Sequence, residues 1–170
     1  MDAAALRELQ APLKTQYRDS PETALVTLKV EGDLDTGGIA CKVDTGRALV
    51  EAGLHPATGG SGLQACSGDM LLEALAACAG VTLKAVATAL EFRLDGGKVR
   101  AEGDLDFRGT LGVERGVPVG FRDIRLIFAL ETDEPQDRID ALLKPTERCV
   151  VLQTLRNPPA ITAIVEKHKR

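Results

Sequence analysis

The sequence predicts an α+β fold, in which strands and helices are grouped along the chain instead of alternating. Three observations support this class. One long apolar segment, 69–90, has the length and composition of a helix. A pair of strand-like segments precedes it and a second pair follows it. Two shorter helical patterns and a last short strand complete the order. A regular βαβ arrangement around a parallel sheet is therefore not expected.

The segment 69–90, DMLLEALAACAGVTLKAVATAL, contains no proline and a single glycine. Ser67 or Asp69 is expected to cap its start, because a side-chain oxygen can accept from the unpaired first-turn N–H groups. At 100° per residue, Glu73 and Lys84 fall on one narrow polar stripe, and the remaining circumference is apolar. We therefore expect a central helix that protein surrounds on most sides. Its two charges and its small residues argue against a membrane span.

The composition indicates one ordinary domain with its own core, because 44% of the 170 residues are hydrophobic. The expected division is an N-terminal helical arm, 1–22, and a single domain, 23–170. The net charge is −4 and no basic cluster is interleaved with aromatic residues, so nucleic acid is not an expected partner. The N-terminal residues lack the apolar core of a secretory signal. The expected location is thus the cytosol, where thiols stay reduced.

The segments before the long helix have patterns of several kinds. Segment 2–17 is predicted as a helix, and segments 24–31 and 39–44 are predicted as strands. Segment 48–53 is compatible with either helix or strand, and segment 55–62 is predicted as a loop. Pro12 is expected to interrupt the first helix. The turn signal DTGG at 35–38 predicts that the two strands form a hairpin.

The segments after the long helix predict a second pair of strands, two helices and a final strand: 98–107, 122–130, 136–144, 147–157 and 160–165. Asp133 is expected to cap the first of these helices, and Pro145 to end it. Thr146 is expected to cap the second, which places Cys149 at its third position. The positive end of the helix dipole would then favour a thiolate at Cys149.

The four cysteines show no CxxC spacing and only two histidines accompany them, so a metal site is not expected. Cys41 lies on the apolar face of its strand and is expected to be core, and Cys66 is a helix-entry residue. Cys78 lies in the middle of the long helix, away from the polar stripe. Nothing adjacent in sequence lowers its pKa, so any activating group must come from elsewhere in the fold. On the residues alone, Cys78 and Cys149 are each either packing or reactive thiols.

Two segments together resemble the osmotically inducible protein C and organic hydroperoxide resistance superfamily, written OsmC/Ohr. They are GDMLLEALAACAGVTLKAVA at 68–87 and CVVLQTLRNPPAITAIV at 149–165. Members have one cysteine in the middle of an Ala/Leu-rich central helix and a second at the start of a later helix. Cys78 matches the first and Cys149 the second. The resemblance covers most of 24–166 and is closest to the OsmC-like branch.

The resemblance implies a thiol-dependent peroxidase without a cofactor. Cys78 would attack an organic or hydrogen peroxide and become a sulfenic acid, Cys149 would resolve it to a disulfide, and a dithiol would reduce that. The family fold is an intertwined homodimer with both sites at the interface. Apolar residues such as Leu75, Val81 and Leu152 are expected to line a pocket for the peroxide.

The chain also departs from the family pattern. Organic hydroperoxide enzymes place an arginine near the first hairpin turn and a glutamate before the central helix, but the turn here, GDLDTGG, has no arginine. Asp69 is the nearest carboxylate in the pattern, and Arg18 and Arg47 are candidate replacements for the arginine. Val150 replaces a proline. These departures leave two alternatives open: a binding or redox-sensing protein that uses the apolar interface pocket, and a structural domain with four buried thiols.

Overall fold

The computed structural model describes residues 2–20, 31–34, 40–44, 49–112 and 115–167, but not the side chains at 9, 13, 16–18, 31–34 and 40–44. The elements in this part of the chain are α1 (Ala3–Asp19), β1 (Glu31–Leu34), β2 (Ala40–Asp44), β3 (Leu49–Gly53), β4 (Ala65–Cys66), α2 (Ser67–Ala89), β5 (Gly96–Leu105), α3 (Phe107–Thr110), β6 (Phe121–Glu131), α4 (Gln136–Thr146) and α5 (Val150–Arg156). Their grouped order confirms the α+β class.

The strands before α2 form one sheet in the order β1-β2-β3-β4. β1 and β2 are antiparallel, with Glu31 opposite Asp44 and Leu34 opposite Cys41. The predicted antiparallel pairing before α2 is therefore confirmed, but the described first strand is 31–34. Of the strand predicted at 24–31, only Glu31 lies inside the described residues, and the turn at 35–38 lies outside them. The undecided segment at 48–53 is strand β3, which pairs antiparallel with β2 and parallel with β4.

The strands after α2 form a second, two-stranded sheet. β5 and β6 pair antiparallel from Gly96 opposite Glu131 to Leu105 opposite Phe121, which confirms the predicted strand pair. β5 begins earlier than expected, because the backbone N–H of Asp95 already bonds to the Glu131 carbonyl. Residues 106 and 107 leave the strand and enter the short helix α3. This sheet packs on α2 and forms one wall of the site described below.

One row of α2 carries the core. Its fully buried residues follow every four positions, at Leu75, Ala79, Leu83 and Ala87. Leu83 and Ala87 pack with Leu142 of α4 and with Phe92, and this cluster joins α2 to α4. The stripe around Glu73 and Lys84 is exposed, as expected.

Another face of α2 is apolar and exposed. Val81 is 72% exposed and Leu71 is 38% exposed. The expectation that protein surrounds this helix on most sides is therefore wrong within one chain. The reason is that the described parts of a single chain supply packing partners for one row of α2 and leave its other apolar face uncovered.

α2 is long and apolar enough to cross a membrane by length and composition, with a mean hydropathy of 1.7 over its most apolar window. It is the one such helix in the part of the chain that the structure describes. The core helix of a soluble protein meets the same criterion, and α2 packs against β5, α4 and α5.

The predicted interruption of α1 and the predicted N-caps of α2 and α4 are wrong. α1 continues through Pro12, because losing one helix hydrogen bond does not have to end a helix. Cys66 holds the N-cap position of α2 without a side-chain cap bond, so neither Ser67 nor Asp69 caps that helix. The N-cap position of α4 belongs to Pro135, not Asp133. These caps depend on backbone angles that tertiary packing sets.

The strand predicted at 160–165 is not formed. Residues 158–167 have no regular secondary structure and are exposed, including Ile161, Ile164 and Val165 at 89%, 79% and 93%. A strand needs a neighbouring strand for its backbone hydrogen bonds, and no described strand of this chain pairs with the segment. The apolar alternation that predicted the strand is therefore exposed to solvent.

Candidate active site

The turn between α4 and α5 decides where Cys149 lies. α4 continues through Pro145 to Thr146, whose hydroxyl donates to the Leu142 carbonyl at 2.7 Å instead of capping α5. Cys149 is itself the N-cap residue of α5. The prediction that Thr146 caps this helix and that Cys149 is its third residue is therefore wrong. The physical reason is that Thr146 is the last residue of α4 and its hydroxyl is already bonded to the Leu142 carbonyl, so it does not cap α5.

The structure places the thiols of Cys78 and Cys149 together at the junction of α2 and α5. Cys78 is partly buried, whereas Cys149 is 1% exposed. The Cys149 thiol hydrogen-bonds to the Cys78 sulfur, and the backbone N–H groups of Val150 and Val151 also donate to that sulfur. Both cysteines are free. The two thiols that the sequence singled out thus share one site.

The surroundings of Cys78 favour its thiolate. Burial by itself raises the pKa of a thiol, but four donors oppose this effect at Cys78. They are the Cys149 thiol, the N–H groups of Val151 and Val150, and the Thr82 hydroxyl. Together they lower the pKa of Cys78 below its ordinary value of 9.0. Neutral donors stabilise the thiolate here because a charged sulfur accepts stronger hydrogen bonds than a neutral one.

The pKa of Cys149 is shifted in the opposite direction, above its ordinary value. Burial raises its pKa, and so does the hydrogen bond that its thiol donates to Cys78. The negative charge on Cys78 raises it further, and the N–H groups of Leu152 and Val151 only partly offset these effects. Cys149 therefore stays protonated where Cys78 is ionised. The pair consists of one thiol with a lowered pKa and one proton-bearing partner.

Sequence reasoning gave only half of the helix-end effect. The first N–H groups of α5 were expected to act on Cys149, and those of Leu152 and Val151 do lower its pKa. The N–H groups of Val150 and Val151 also donate to Cys78, which α2 brings across from the side. The sequence signal for this arrangement was a helix starting at Cys149. Nothing in the sequence gave the crossing of α2 over that helix end.

A groove of about 420 Å³ is lined by chain neighbours of the two cysteines, although neither cysteine lines it. Leu75 and Leu152 both line the groove. Leu75 lies one turn before Cys78, and Leu152 supplies an N–H to Cys149. The other apolar lining residues are Phe121, Ile124, Leu126, Phe128 and Leu155. Val81 is not a lining residue, so its predicted place in a pocket with Leu75 and Leu152 is wrong within one chain.

Charged residues stand at the rim of this groove, among them Arg122, Asp123, Glu147 and Arg156. Arg156 pairs with Glu147 at 3.0 Å, and Gln153 donates to the Glu147 carbonyl at 2.7 Å. Both bonds run from α5 back to the end of α4. They brace the turn that carries Cys149.

The other predicted site residues lie apart from the pair or outside the description. Asp69 is exposed in the first turn of α2, nine residues before Cys78 and thus about 13 Å from it along the axis. Arg47 lies outside the described residues, and Arg18 lies in α1 but its side chain is not described. The Cys41 side chain in β2 is also not described. Cys66 is partly buried at the start of α2.

The described residues contain no group of three or more His, Cys, Asp and Glu side chains that could hold a metal ion.

Fold and site together define a class: an α+β protein whose central helix presents a cysteine to a second cysteine at the start of a later helix. The family model described as OsmC-like protein matches residues 60–163, more than half of the chain. The chain therefore belongs to the OsmC-like family. A search of curated proteins found no significant match.

Solved structures with the same fold have low sequence identity to this chain. An OsmC-like protein from Mycoplasma pneumoniae has a TM-score of 0.63 at 17% identity, covering 78% of this chain and 89% of its own. An organic hydroperoxide resistance protein from Elizabethkingia anophelis has 0.60 at 20%, covering 79% and 91%. The organic hydroperoxide resistance protein OhrB of Bacillus subtilis has 0.53 at 21%, covering 78% and 93%. At these identities the likeness concerns the fold.

Proposed function

We propose that this protein is a thiol-dependent peroxidase that reduces organic or hydrogen peroxides and acts in antioxidant defence. The observation that carries the proposal is the thiol pair, in which Cys78 is the more acidic member and Cys149 its protonated neighbour. A thiolate is the form that attacks peroxides, and a second thiol in contact is what forms a disulfide. Family relatives described as organic hydroperoxide resistance proteins support the same activity.

The proposed reaction proceeds in two balanced steps. The Cys78 thiolate attacks the distal oxygen of the hydroperoxide, the O–O bond breaks, and an alkoxide leaves and takes a proton to become the alcohol. Cys78 is then a sulfenic acid. The Cys149 sulfur attacks it, forming the disulfide, and the thiol proton leaves with the hydroxide as water. A small or protein-bound dithiol then reduces the disulfide by exchange.

The groove beside the pair suits the apolar part of an organic peroxide. Its leucine, isoleucine and phenylalanine side chains can cover an apolar group, its four charged lining residues leave part of the wall polar, and its volume of about 420 Å³ accommodates a small ligand. Neither substrate recognition nor catalysis in this scheme uses a cofactor. The thiol chemistry requires reduced cysteines, and we place the protein in the cytosol, where thiols are kept reduced.

The working unit in this proposal is a homodimer. The tail at 158–167 exposes Ile161, Ile164 and Val165, and α2 exposes Val81. Exposed apolar surface of this extent indicates a partner surface, and a two-stranded sheet such as β5–β6 gains stability from further strands. We therefore propose that the tail adds a strand to a second copy, which forms the intertwined dimer expected from the resemblance.

Arg18 and Arg47 remain the proposed sources of a cation for the thiolate, and Asp69 remains the proposed carboxylate that orients it. At about 13 Å from Cys78, Asp69 acts only through such an intermediary. A partner copy in the dimer is one route by which these residues reach the site. Their roles are tested by substitution below.

The test of the proposed function is a titration of the reduced protein with one equivalent of an organic hydroperoxide. We expect two free thiols to disappear and mass spectrometry to show a Cys78–Cys149 disulfide. A Cys66→Ser variant is the matched control and should lose the same two thiols. Peroxide consumption by a Cys78→Ser variant at the wild-type rate would disprove the mechanism.

The second candidate is a binding or redox-sensing protein without efficient turnover. The apolar groove favours it, and so does the absence of any cation among the donors to the Cys78 sulfur in the described part of the chain. Native mass spectrometry of the purified protein separates the two functions. A retained apolar ligand together with thiols that do not react with peroxide would support binding and exclude the peroxidase.

A further inference from the structure

Thr82 lies one helical turn after Cys78 on α2. Its hydroxyl oxygen is 2.8 Å from the Cys78 carbonyl oxygen, to which it donates. Side chains on a helix tilt toward its N-terminus, so the Thr82 side chain leans back onto the turn that carries Cys78. This hydroxyl is bonded to the Cys78 carbonyl and is also one of the donors that lower the pKa of the Cys78 sulfur, so two acceptors on one residue compete for it.

We propose that the Thr82 hydroxyl is a switching donor that bonds to the Cys78 carbonyl while Cys78 is a thiol and turns to the sulfur when Cys78 ionises. A hydroxyl has one proton, so it cannot serve both acceptors fully at once. The Cys78 carbonyl keeps a partner after the switch, because within α2 it also accepts the N–H four residues on. Rotation of the hydroxyl therefore leaves no buried group unpaired.

Thr82 differs from the other donors in its position. Cys149, Val150 and Val151 reach the sulfur from α5, whereas Thr82 lies on the same helix as Cys78. The position of the Thr82 hydroxyl is set within α2, and this donor therefore does not depend on the position of α5.

The groups around the Cys78 sulfur allow the effect of the Thr82 hydroxyl on the ionisation of Cys78 to be measured. The titratable group in contact with the Cys78 sulfur, among the described residues of the elements packed on α2, is the Cys149 thiol. Exposed charged side chains on β5, α4, the α4–α5 turn and α5 include Lys98, Arg100, Lys144, Glu147, Arg148 and Arg156. Of these, Arg156 and Glu147 pair with each other at 3.0 Å.

The inference rests on the proposed function, in which Cys78 is the reactive thiol. Its test measures the ionisation of the Cys78 thiol and not the turnover of peroxide. The full-length reduced protein is alkylated with iodoacetamide from acidic to alkaline pH, and modification of Cys78 is followed by mass spectrometry. Thr82→Val removes the hydroxyl at nearly constant volume, and Thr82→Ser keeps it. Thr88→Val is the matched control, because Thr88 makes the same bond to the Lys84 carbonyl at 2.8 Å on the same helix.

We expect Thr82→Val to shift the Cys78 profile to higher pH and to slow alkylation on its acidic side about three- to tenfold, the size of one hydrogen bond. The limiting rate at high pH should not fall. Thr82→Ser should restore the wild-type profile and Thr88→Val should leave it unchanged. Should Thr82→Val not fold, as judged by circular dichroism, Thr82→Ala takes its place with the same expectation.

A Thr82→Val profile that coincides with that of the wild type overturns the inference. An equal shift in Thr88→Val also overturns it, because the effect would then belong to the helix and not to the hydroxyl. A wild-type protein that consumes no peroxide but shows the expected Thr82 shifts refutes the proposed function alone. Failure of the one is therefore distinguishable from failure of the other.

Discussion

The Cys149 thiol donates a hydrogen bond to the sulfur of Cys78 across the junction of α2 and α5. This single contact makes the two cysteines unequal. It stabilises the charged form of the acceptor and the protonated form of the donor. In the proposed function, this inequality makes Cys78 the thiol that attacks first and Cys149 the second.

The pKa values of the two thiols should lie on opposite sides of the ordinary value of 9.0, with Cys78 below it and Cys149 above it. Because the pKa of Cys78 is lowered and that of Cys149 is raised, alkylation of Cys78 should begin at lower pH. Mass spectrometry after brief treatment with iodoacetamide, at a series of pH values, measures both profiles. A Cys149→Ser variant retains a hydroxyl donor and should keep most of the shift at Cys78, whereas Cys149→Ala should lose part of it. Profiles in which Cys149 reacts before Cys78 would contradict the assignment.

The tail is expected to hold the dimer together. Replacing Ile161 and Ile164 by lysine should weaken the association of two copies, because both side chains are largely exposed within one chain and would be buried against a second. Sedimentation equilibrium or native mass spectrometry gives the oligomeric state. Thr162→Lys is the control, since it adds a charge to the same segment without removing an apolar side chain. A wild-type protein that is monomeric at high concentration would exclude the dimer.

Leu142 anchors α4 on the central helix. It is fully buried among Leu83, Ala87 and Phe92, so Leu142→Ala should lower the free energy of unfolding by about 2–5 kcal/mol. Chemical denaturation of the two proteins measures the difference. Leu63→Ala, at a side chain that is 92% exposed, should change the stability by no more than about 0.5 kcal/mol. Similar losses for both variants would indicate that the core lies elsewhere.

Arg18 and Arg47 give a prediction about charge. If either supplies a cation to the Cys78 thiolate, its replacement by methionine should slow alkylation of Cys78 at acidic pH. Added salt should slow the wild type toward the same rate, because screening weakens an interaction between charges. The rate of alkylation at two salt concentrations measures this. Unchanged profiles in both variants would leave the neutral donors around Cys78 as the source of its acidity.

Much of the architecture followed from local patterns. The alternating segments after the long helix predicted the pair β5–β6, the segment at 39–44 predicted β2, and the apolar segment at 69–90 predicted α2, because side-chain periodicity reports directly on burial. Helix ends were predicted less well. Cys66, Pro135 and Cys149 hold N-cap positions that the expected residues Ser67 or Asp69, Asp133 and Thr146 do not. A cap depends on how the neighbouring helix or strand arrives, which propensity does not encode.

By itself, the sequence determined most of the elements, their grouped order, and the places of one cysteine inside α2 and one at the start of α5. Tertiary structure alone decided that the start of α5 also serves Cys78. That depends on the crossing of α2 over α5, which brings the N–H groups of residues adjacent to Cys149 onto the sulfur of Cys78. A pKa is set by the groups around a sulfur in space, whereas a sequence pattern shows only its neighbours along the chain.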